Sequence, residues 1–496
     1  PCPSFPSSFS DILGLSCQPA AISAFHKVAG CALCHGGLQS HAWRSMDASG
    51  ESAHQEVASV NSLSFPEDFL WGVATSGHQV EGNNTASDWW AWEPGKIEGG
   101  LTSGRACDAW NRYEEDYATM KSMGLNAYRM GVEWARVEPR PGMWDDAAFA
   151  HYEAMMESLS EKGIAICLTL YHWVLPKWVA DQDGWENPAT CDAFLRFVQE
   201  VVNRLGKYPL LWCTLNEPNV YTMFSYVTGE FPPEKRSLRA ARRVTRHLLT
   251  AHAGAYSIIC EGGSKSADPN SRPLIGIAHN MTDFAPASHS PFDRAIAKYQ
   301  SKSWNSSYIE ALVTGRMPGP FGDGKPIPGL AGSLTYMGLN YYTRRTVAFR
   351  PNGISNAFSQ EVFPRGTELN DFGWAVCPEG IYNCLVELGK LRIPVYITEN
   401  GVADANDSMR PRYIVEHLRE MWRAIGSGVD VRGYFYWTFQ DNFEWRAGYT
   451  QKFGLFELDP TDPNLQRTPR RSAEMYAKIA KANGITESIS TKYLGK

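Results

Sequence analysis

The sequence predicts a (β/α)8 TIM barrel of the α/β class on three observations. Eight short apolar runs of buried-strand type recur between residues 70 and 438, and amphipathic helical stretches separate them. No Gly-rich phosphate loop follows the first run, as an open doubly wound sheet binding a nucleotide would need. A length-based count would suggest about three domains, but barrels of this size commonly form one. The periodic texture begins at Phe65, which divides the 496 residues into an extension over 1–64 and a barrel domain over 65–496.

In order, strands are expected at Leu70–Thr75, Ala127–Glu133, Ala165–Tyr171, Leu211–Leu215, Leu274–His279, Tyr336–Tyr341, Pro394–Thr398 and Gly433–Thr438. Each reads as predominantly apolar, as parallel strands buried on both faces do. Helical spacing appears between them at Ala109–Met123, Ala147–Lys162, Pro188–Leu205, Leu238–Cys260, Pro411–Ile425 and Arg471–Asn483.

A barrel places its chemistry at the C-terminal ends of its strands. Those ends carry Gln79 in the loop after the first strand, Arg129 within the second, and His172-Trp173 after the third. They continue with Asn216-Glu217, Asn340-Tyr341-Tyr342, Glu399-Asn400 and Trp437, the last followed by Glu444-Trp445. Directional donors and acceptors beside flat indoles suit a hydroxyl-rich ligand. Seventeen Trp point mildly the same way, although most Trp simply fill cores.

Two of these residues carry the chemistry. Glu217, in Thr214-Leu-Asn-Glu-Pro218, and Glu399, in Ile397-Thr-Glu-Asn-Gly401, each follow an apolar strand and precede a helix-breaking residue. They stand 182 positions apart and can meet only in a closed fold. A facing carboxyl pair is what acetal hydrolysis requires, one group protonating the leaving oxygen and the other attacking or supporting the cationic carbon. The alternative for either is a helix-start or salt-bridge glutamate.

From Phe65 to Asn483 the chain resembles glycoside hydrolase family 1, the retaining β-glucosidases and their relatives. The matching segments are Phe65-Pro-Glu-Asp-Phe-Leu-Trp-Gly72, Gln79-Val-Glu-Gly82, Tyr171-His-Trp173 and Thr214-Leu-Asn-Glu-Pro218. They continue with Gly338-Leu-Asn-Tyr-Tyr-Thr343, Gly373-Trp374, Pro378-Glu-Gly380, Ile397-Thr-Glu-Asn-Gly401 and Asp441-Asn-Phe-Glu-Trp445. The resemblance implies that Glu217 is the general acid/base and Glu399 the nucleophile, with Arg129 and Tyr342 keeping Glu399 ionised. Asn216 would hold the sugar 2-hydroxyl. Gln79, His172, Trp173, Asn340, Glu444 and Trp445 would bind the other hydroxyls, with Trp437 as the stacking floor and Trp374 on the leaving-group side. The family's 6-phosphosugar branch has Ser in place of Glu444, with Lys and Tyr downstream. Glu444 and Phe453 therefore imply an unphosphorylated sugar, and Gln79 with Glu444 can bridge either orientation of a 4-hydroxyl.

The expected function is thus a retaining β-glycosidase acting on terminal β-linked sugars, β-D-glucosides first. A β-galactosidase or β-fucosidase, a transglycosidase on the same site, and an inactive sugar-binding barrel are the alternatives. The expected partner is a small glycoside or oligosaccharide, and no cofactor or metal is needed when two carboxylates supply acid, base and nucleophile. The chain departs from the family pattern at His78, at Arg129-Met-Gly-Val-Glu-Trp134, at Val174 and at Ala375. Glu133, a rival functional carboxylate, is expected to form an ion pair with Arg136.

A net charge of −6 argues against nucleic acid or an anionic membrane as partner, and no apolar run approaches the ~18 residues of a membrane span. Residues 1–64 hold four of the eleven Cys and lack strong periodicity, so they are expected to be irregular or partly disordered. Cys31-Ala-Leu-Cys34-His35 matches c-type haem attachment, with His41 or Met46 as a second ligand, and with His41 it also has a zinc-type donor set. The segment is short for a cytochrome, and an irregular extension packed on the barrel or partly disordered is the expectation. No basic start leads into a sustained apolar stretch, so no signal peptide is expected. The other Cys, at 107, 167, 191, 213, 260, 377 and 384, suit reduced thiols and a cytoplasmic location.

Overall fold

The computed structural model describes residues 62–262, 273–351 and 358–495. The Cys31–His35 motif and the rest of the extension up to residue 61 lie outside the described residues. Eight parallel strands form a closed ring: β1 Leu70–Ala74, β2 Ala127–Gly131, β3 Ala165–Thr169, β4 Pro209–Asn216, β5 Leu274–Pro286, β6 Met337–Phe349, β7 Val395–Asn400 and β8 Val431–Trp437. Each pairs with its sequence neighbours, and β8 returns to β1 through the register Gly433↔Leu70 to Trp437↔Ala74. Closure leaves no free sheet edge.

Helices clothe the ring: α1 Ala109–Ser122, α2 Asp146–Glu161, α3 Ala189–Leu205, α4 Leu238–Gly262, α5 Pro291–Ser301, α6 Pro378–Gly389, α7 Arg410–Gly426 and α8 Arg471–Ala482. In α3, Phe194, Phe197, Val198, Val201, Val202 and Leu205 are buried, an i, i+3/i+4 stripe that packs on the barrel side. The Asp145 carboxylate accepts from Ala148 N at 2.9 Å and opens α2. Within the ring, small Ala74, Ala127, Cys167 and Ala278 leave room for Tyr336, Tyr396 and Phe435 in one cluster.

The strands and the six expected helices lie close to their expected positions, but α5 and α6 were not expected and two strands are longer than expected. β5 and β6 run past their expected ends to Pro286 and Phe349, and pair beyond the barrel through Asp283↔Arg344 to Pro286↔Val347. Ser359–Glu361 adds to them antiparallel. Ion pairs such as Arg344–Asp283 at 2.6 Å and a small apolar cluster of Val347, Ile296 and Ala297 with Phe284 and Phe349 hold these extensions, and their mixed sequence lacks the continuous apolar signature of a buried strand.

Register shifts concentrate where the strands end. Four fall in the later parts of the strands, between Cys213 and Asn216, between Met281 and Asp283, at Leu339/Asn340, and between Tyr434 and Tyr436 opposite Asn400, and two lie near strand starts, at Ile166/Cys167 and Val431/Gly433. Such irregularities re-aim side chains and cluster beside functional sites.

Candidate active site

Glu217 follows β4 directly and caps the helix Pro218–Tyr226, with Pro at the first helical position. Its backbone is left-handed (φ 41°, ψ 61°), a conformation costing about 1–3 kcal/mol for a residue with a side chain. Glu399 sits near the end of β7. Two residues on, a Cβ at Gly401 would meet the Trp437 carbonyl oxygen at 1.8 Å, so only glycine lets the chain after β7 close against β8.

The two carboxyls have different partners. Glu399 accepts from Arg129 Nη1 on Oε1 and from the Tyr342 hydroxyl on Oε2, both at 2.5 Å. These are charge-assisted bonds of the strong kind. Arg129 is wholly buried and also donates to Asn216 Oδ1 at 2.6 Å, Thr398 O at 3.2 Å and Thr169 Oγ1 at 3.2 Å. Burial works against its charge, yet the facing Glu399 outweighs burial and holds the guanidinium above its ordinary pKa. Glu217 instead accepts two neutral amide donors on Oε1, Asn340 Nδ2 at 2.9 Å and Asn280 Nδ2 at 3.0 Å. Burial first, and the negative charge of Glu399 second, push its carboxyl up to about 8. At neutral pH one carboxyl is therefore paired with a cation and the other keeps its proton.

Asn216 joins the two halves. Its Oδ1 accepts from Arg129 and, at 3.2 Å, from Asn340, so its Nδ2 faces His172 Nε2 at 3.0 Å. Burial, reinforced by the charge of Arg129, lowers the pKa of His172 well below its usual value, so the ring is neutral. Its Nε2 accepts, which leaves the hydrogen on Nδ1, an atom with no partner among the described residues.

Gln79 lies on the short helix Gly77–Val80, not in a loop as expected. Ser76 Oγ donates to its Oε1 at 2.8 Å, while its Nε2 donates to Phe443 O at 2.9 Å and Glu444 Oε2 at 3.4 Å. Burial first and Glu399 second push Glu444 up to about 8 as well. Trp445 packs on Trp173 at 4.9 Å and on His172 at 5.8 Å, and Trp437 lies 6.1 Å from the His172 ring. Trp173 donates its indole N–H to Asn216 O at 3.0 Å. On the other side Trp374 and Phe453 pack against Tyr342, with ring centres at 5.6 and 6.2 Å. The catalytic and sugar-binding residues implied by the resemblance thus fall in one connected cluster at the C-terminal end of the ring.

Three features were not expected. Asn280, on β5, donates to Glu217 and accepts from the Trp304 indole N–H at 3.1 Å. Asn280 stands one residue past the expected end of its strand and Trp304 belongs to no motif, so only the strand-end rule applied further along β5 could have found the pair. Glu133 does not pair with Arg136. It accepts from His78 N at 3.0 Å and Asn84 Nδ2 at 2.9 Å, while Arg136 pairs with Glu81 at 3.0 Å. Burial, with Glu81 nearby, pushes Glu133 up to about 8, and a protonated carboxyl has no claim on the single guanidinium. Finally, His78 stacks parallel on Trp445 with ring centres 6.0 Å apart and bonds Glu93 through Nε2 at 2.7 Å.

Comparison with known proteins places this arrangement. The family profile described as Glycosyl hydrolase family 1 matches residues 61–485. A β-galactosidase of Pyrococcus woesei is 31% identical over 511 residues, covering 87% of this chain and 99% of the relative. β-Glucosidase A of Thermotoga maritima is 31% identical over 459 residues, covering 86% and 100%. Among solved structures, a β-glycosidase from Pyrococcus horikoshii superposes with a TM-score of 0.80 at 35% identity, covering 88% of this chain and 99% of that one.

Proposed function

The chain belongs to glycosyl hydrolase family 1 and is a retaining β-glycosidase; we propose that Glu399 is its nucleophile, Glu217 its acid/base and a terminal β-D-glucoside its preferred substrate. The observation that carries the assignment is the unequal setting of the two carboxyls. Glu399 meets a guanidinium and a phenol hydroxyl at 2.5 Å each, whereas Glu217 meets only amides. In the first step Glu217 gives its proton to the glycosidic oxygen as the Glu399 carboxylate attacks the anomeric carbon. The C–O bond to the aglycone breaks, the aglycone leaves as an alcohol, and a glycosyl ester forms on Glu399. Esterification removes the charge of Glu399, one of the two causes that raise Glu217, so Glu217 becomes a better base. It then takes a proton from water, whose oxygen attacks the anomeric carbon and expels the Glu399 carboxylate. Two displacements restore the β configuration.

Asn216, His172, Gln79, Glu444 and Trp445 supply donors, acceptors and an aromatic wall for the sugar, and Trp374 flanks the aglycone. Tyr342 does double duty, donating to Glu399 and packing against Trp374. A galactoside is the second substrate, because Gln79 and Glu444 can bracket a 4-hydroxyl of either orientation and a relative of equal identity is named a β-galactosidase. Among the described residues no helix is long and apolar enough to cross a membrane. The buried thiols of Cys107, Cys167, Cys191, Cys213 and Cys384 support a reducing, cytoplasmic compartment.

Rates on nitrophenyl β-glucoside, β-galactoside, β-fucoside and α-glucoside, with the released anomer followed by NMR, test the reading. Fastest turnover of the β-glucoside with β-glucose as first product is expected. Absence of turnover on the β-glycosides, or an α-product, would contradict it.

A further inference from the structure

We propose that Asn280, held by Trp304, is a positioning residue that selects which oxygen of Glu217 carries the catalytic proton. The inference rests on the acid/base role proposed for Glu217 and adds how that acid is aimed. Both amide donors, Asn280 Nδ2 and Asn340 Nδ2, converge on the same atom, Oε1, at 3.0 and 2.9 Å. A carboxylic acid carries its proton on one oxygen and accepts on the other. With two N–H groups aimed at Oε1, that oxygen is the acceptor and the proton sits on Oε2. Among the described residues no group bonds Oε2, so the proton faces the space where the glycosidic oxygen must lie.

The orientation of each amide is itself fixed. An indole N–H can only donate, so Trp304 Nε1 at 3.1 Å identifies the Asn280 atom it meets as oxygen and turns the NH2 group to Glu217. Asn340 is fixed through Asn216: Arg129, which can only donate, makes the Asn216 atom it meets oxygen, and Asn340 Nδ2 donates to that oxygen at 3.2 Å while Thr398 Oγ1 donates to Asn340 Oδ1 at 2.7 Å. Asn219 Nδ2 adds a bond to the Asn280 carbonyl at 2.9 Å, which ties the strand to the helix that Glu217 caps. Trp304 comes from the π-helical turn Lys302–Ser306. Such turns are rare and recur at functional sites. Here the turn follows α5 within the connection from β5 to β6, where it can reach Asn280 on β5.

Removing the Asn280 donor should have two effects. Oε1 would lose one of the bonds that keep the proton off it, so a share of the acid would present its proton on the wrong oxygen. The charged form of Glu217 would also lose a stabilising bond. Glu399, Arg129 and Tyr342, which face Glu217 from β7, β2 and β6, would be unchanged, so the acid should titrate at higher pH.

The test is kcat/KM against pH for Asn280→Ala and Trp304→Phe, with Glu217→Ala as reference, on cellobiose and on a dinitrophenyl β-glucoside. Trp304→Phe keeps the ring and deletes only the N–H, so it also serves if Asn280→Ala folds poorly. For cellobiose, which needs the acid, a loss of about tenfold in Asn280→Ala is expected, a fraction of what general acid catalysis contributes, with a smaller loss in Trp304→Phe. The dinitrophenyl substrate should change less than about twofold, since its leaving group needs no proton, and the alkaline limb should move up in both variants. Equal losses on both substrates, or an unmoved alkaline limb, would overturn the inference while leaving Glu217 as acid, provided Glu217→Ala discriminates between the substrates. If Glu217→Ala does not discriminate, the acid/base reading fails and this inference with it.

Discussion

At Glu217 and Glu399 the same functional group is held in two chemical states by its neighbours. The raised carboxyl of Glu217 has a definite pH consequence. Its pKa stands at about 8 because burial and Glu399 both disfavour the anion, so the acid is present below that value and lost as pH rises through it. The alkaline limb of kcat/KM should therefore fall near pH 8, and Glu399→Gln, which removes one cause, should lower the titration of Glu217 as seen by NMR of labelled glutamate. Glu217→Ala should cost about 10²–10⁴-fold on unactivated disaccharides and far less on dinitrophenyl glycosides. Azide should rescue Glu399→Ala with the opposite anomer as product. Both glutamates were legible in the sequence because each ends an apolar strand at a helix-breaking residue. Asn280 was not, since an asparagine in a polar strand extension carries no mark of its own. The Glu133–Arg136 pair failed for a different reason: proximity in sequence does not decide between two carboxylates competing for one guanidinium.

The elements matter through the angle at which they deliver these side chains. The loop after β8 carries Glu444 and Trp445, and Asp441 at its base is wholly buried. Its carboxylate takes both Arg470 Nη atoms, at 2.9 and 2.8 Å, and the Gly454 N–H at 2.9 Å, clamping the loop to the start of α8. Asp441→Asn would leave Arg470 buried without its counter-charge. It should destabilise the fold by about 3–5 kcal/mol, measured as a lower urea midpoint, and reduce kcat/KM by loosening Glu444. A loss below about 1 kcal/mol would place this bond among ordinary surface pairs. Strand positions were readable because parallel strands buried on both faces are apolar throughout. The extensions of β5 and β6 were not, because Asp283, Arg344 and Arg345 interrupt their apolar residues, which pack in a small cluster separate from the barrel core.

For the whole molecule, closure of the ring is what turns scattered residues into a site. Arg129 from β2, Asn216 from β4, Tyr342 from β6 and Glu399 from β7 are joined by bonds of 2.5–2.6 Å across the barrel mouth. That convergence was foreseeable from the count of strands and their order. The register shifts along the strands were not, since a shift of one residue leaves no trace in hydropathy. The central claim is that this closure makes Glu399 a covalent nucleophile, and trapping the intermediate tests it most directly. The protein would be incubated with a 2-deoxy-2-fluoro β-glucoside bearing a good leaving group, digested and analysed by mass spectrometry. A single fluoroglucosyl label on Glu399, with activity lost in step with labelling, is the predicted result. A label on another residue, or inactivation without any covalent adduct, would contradict it.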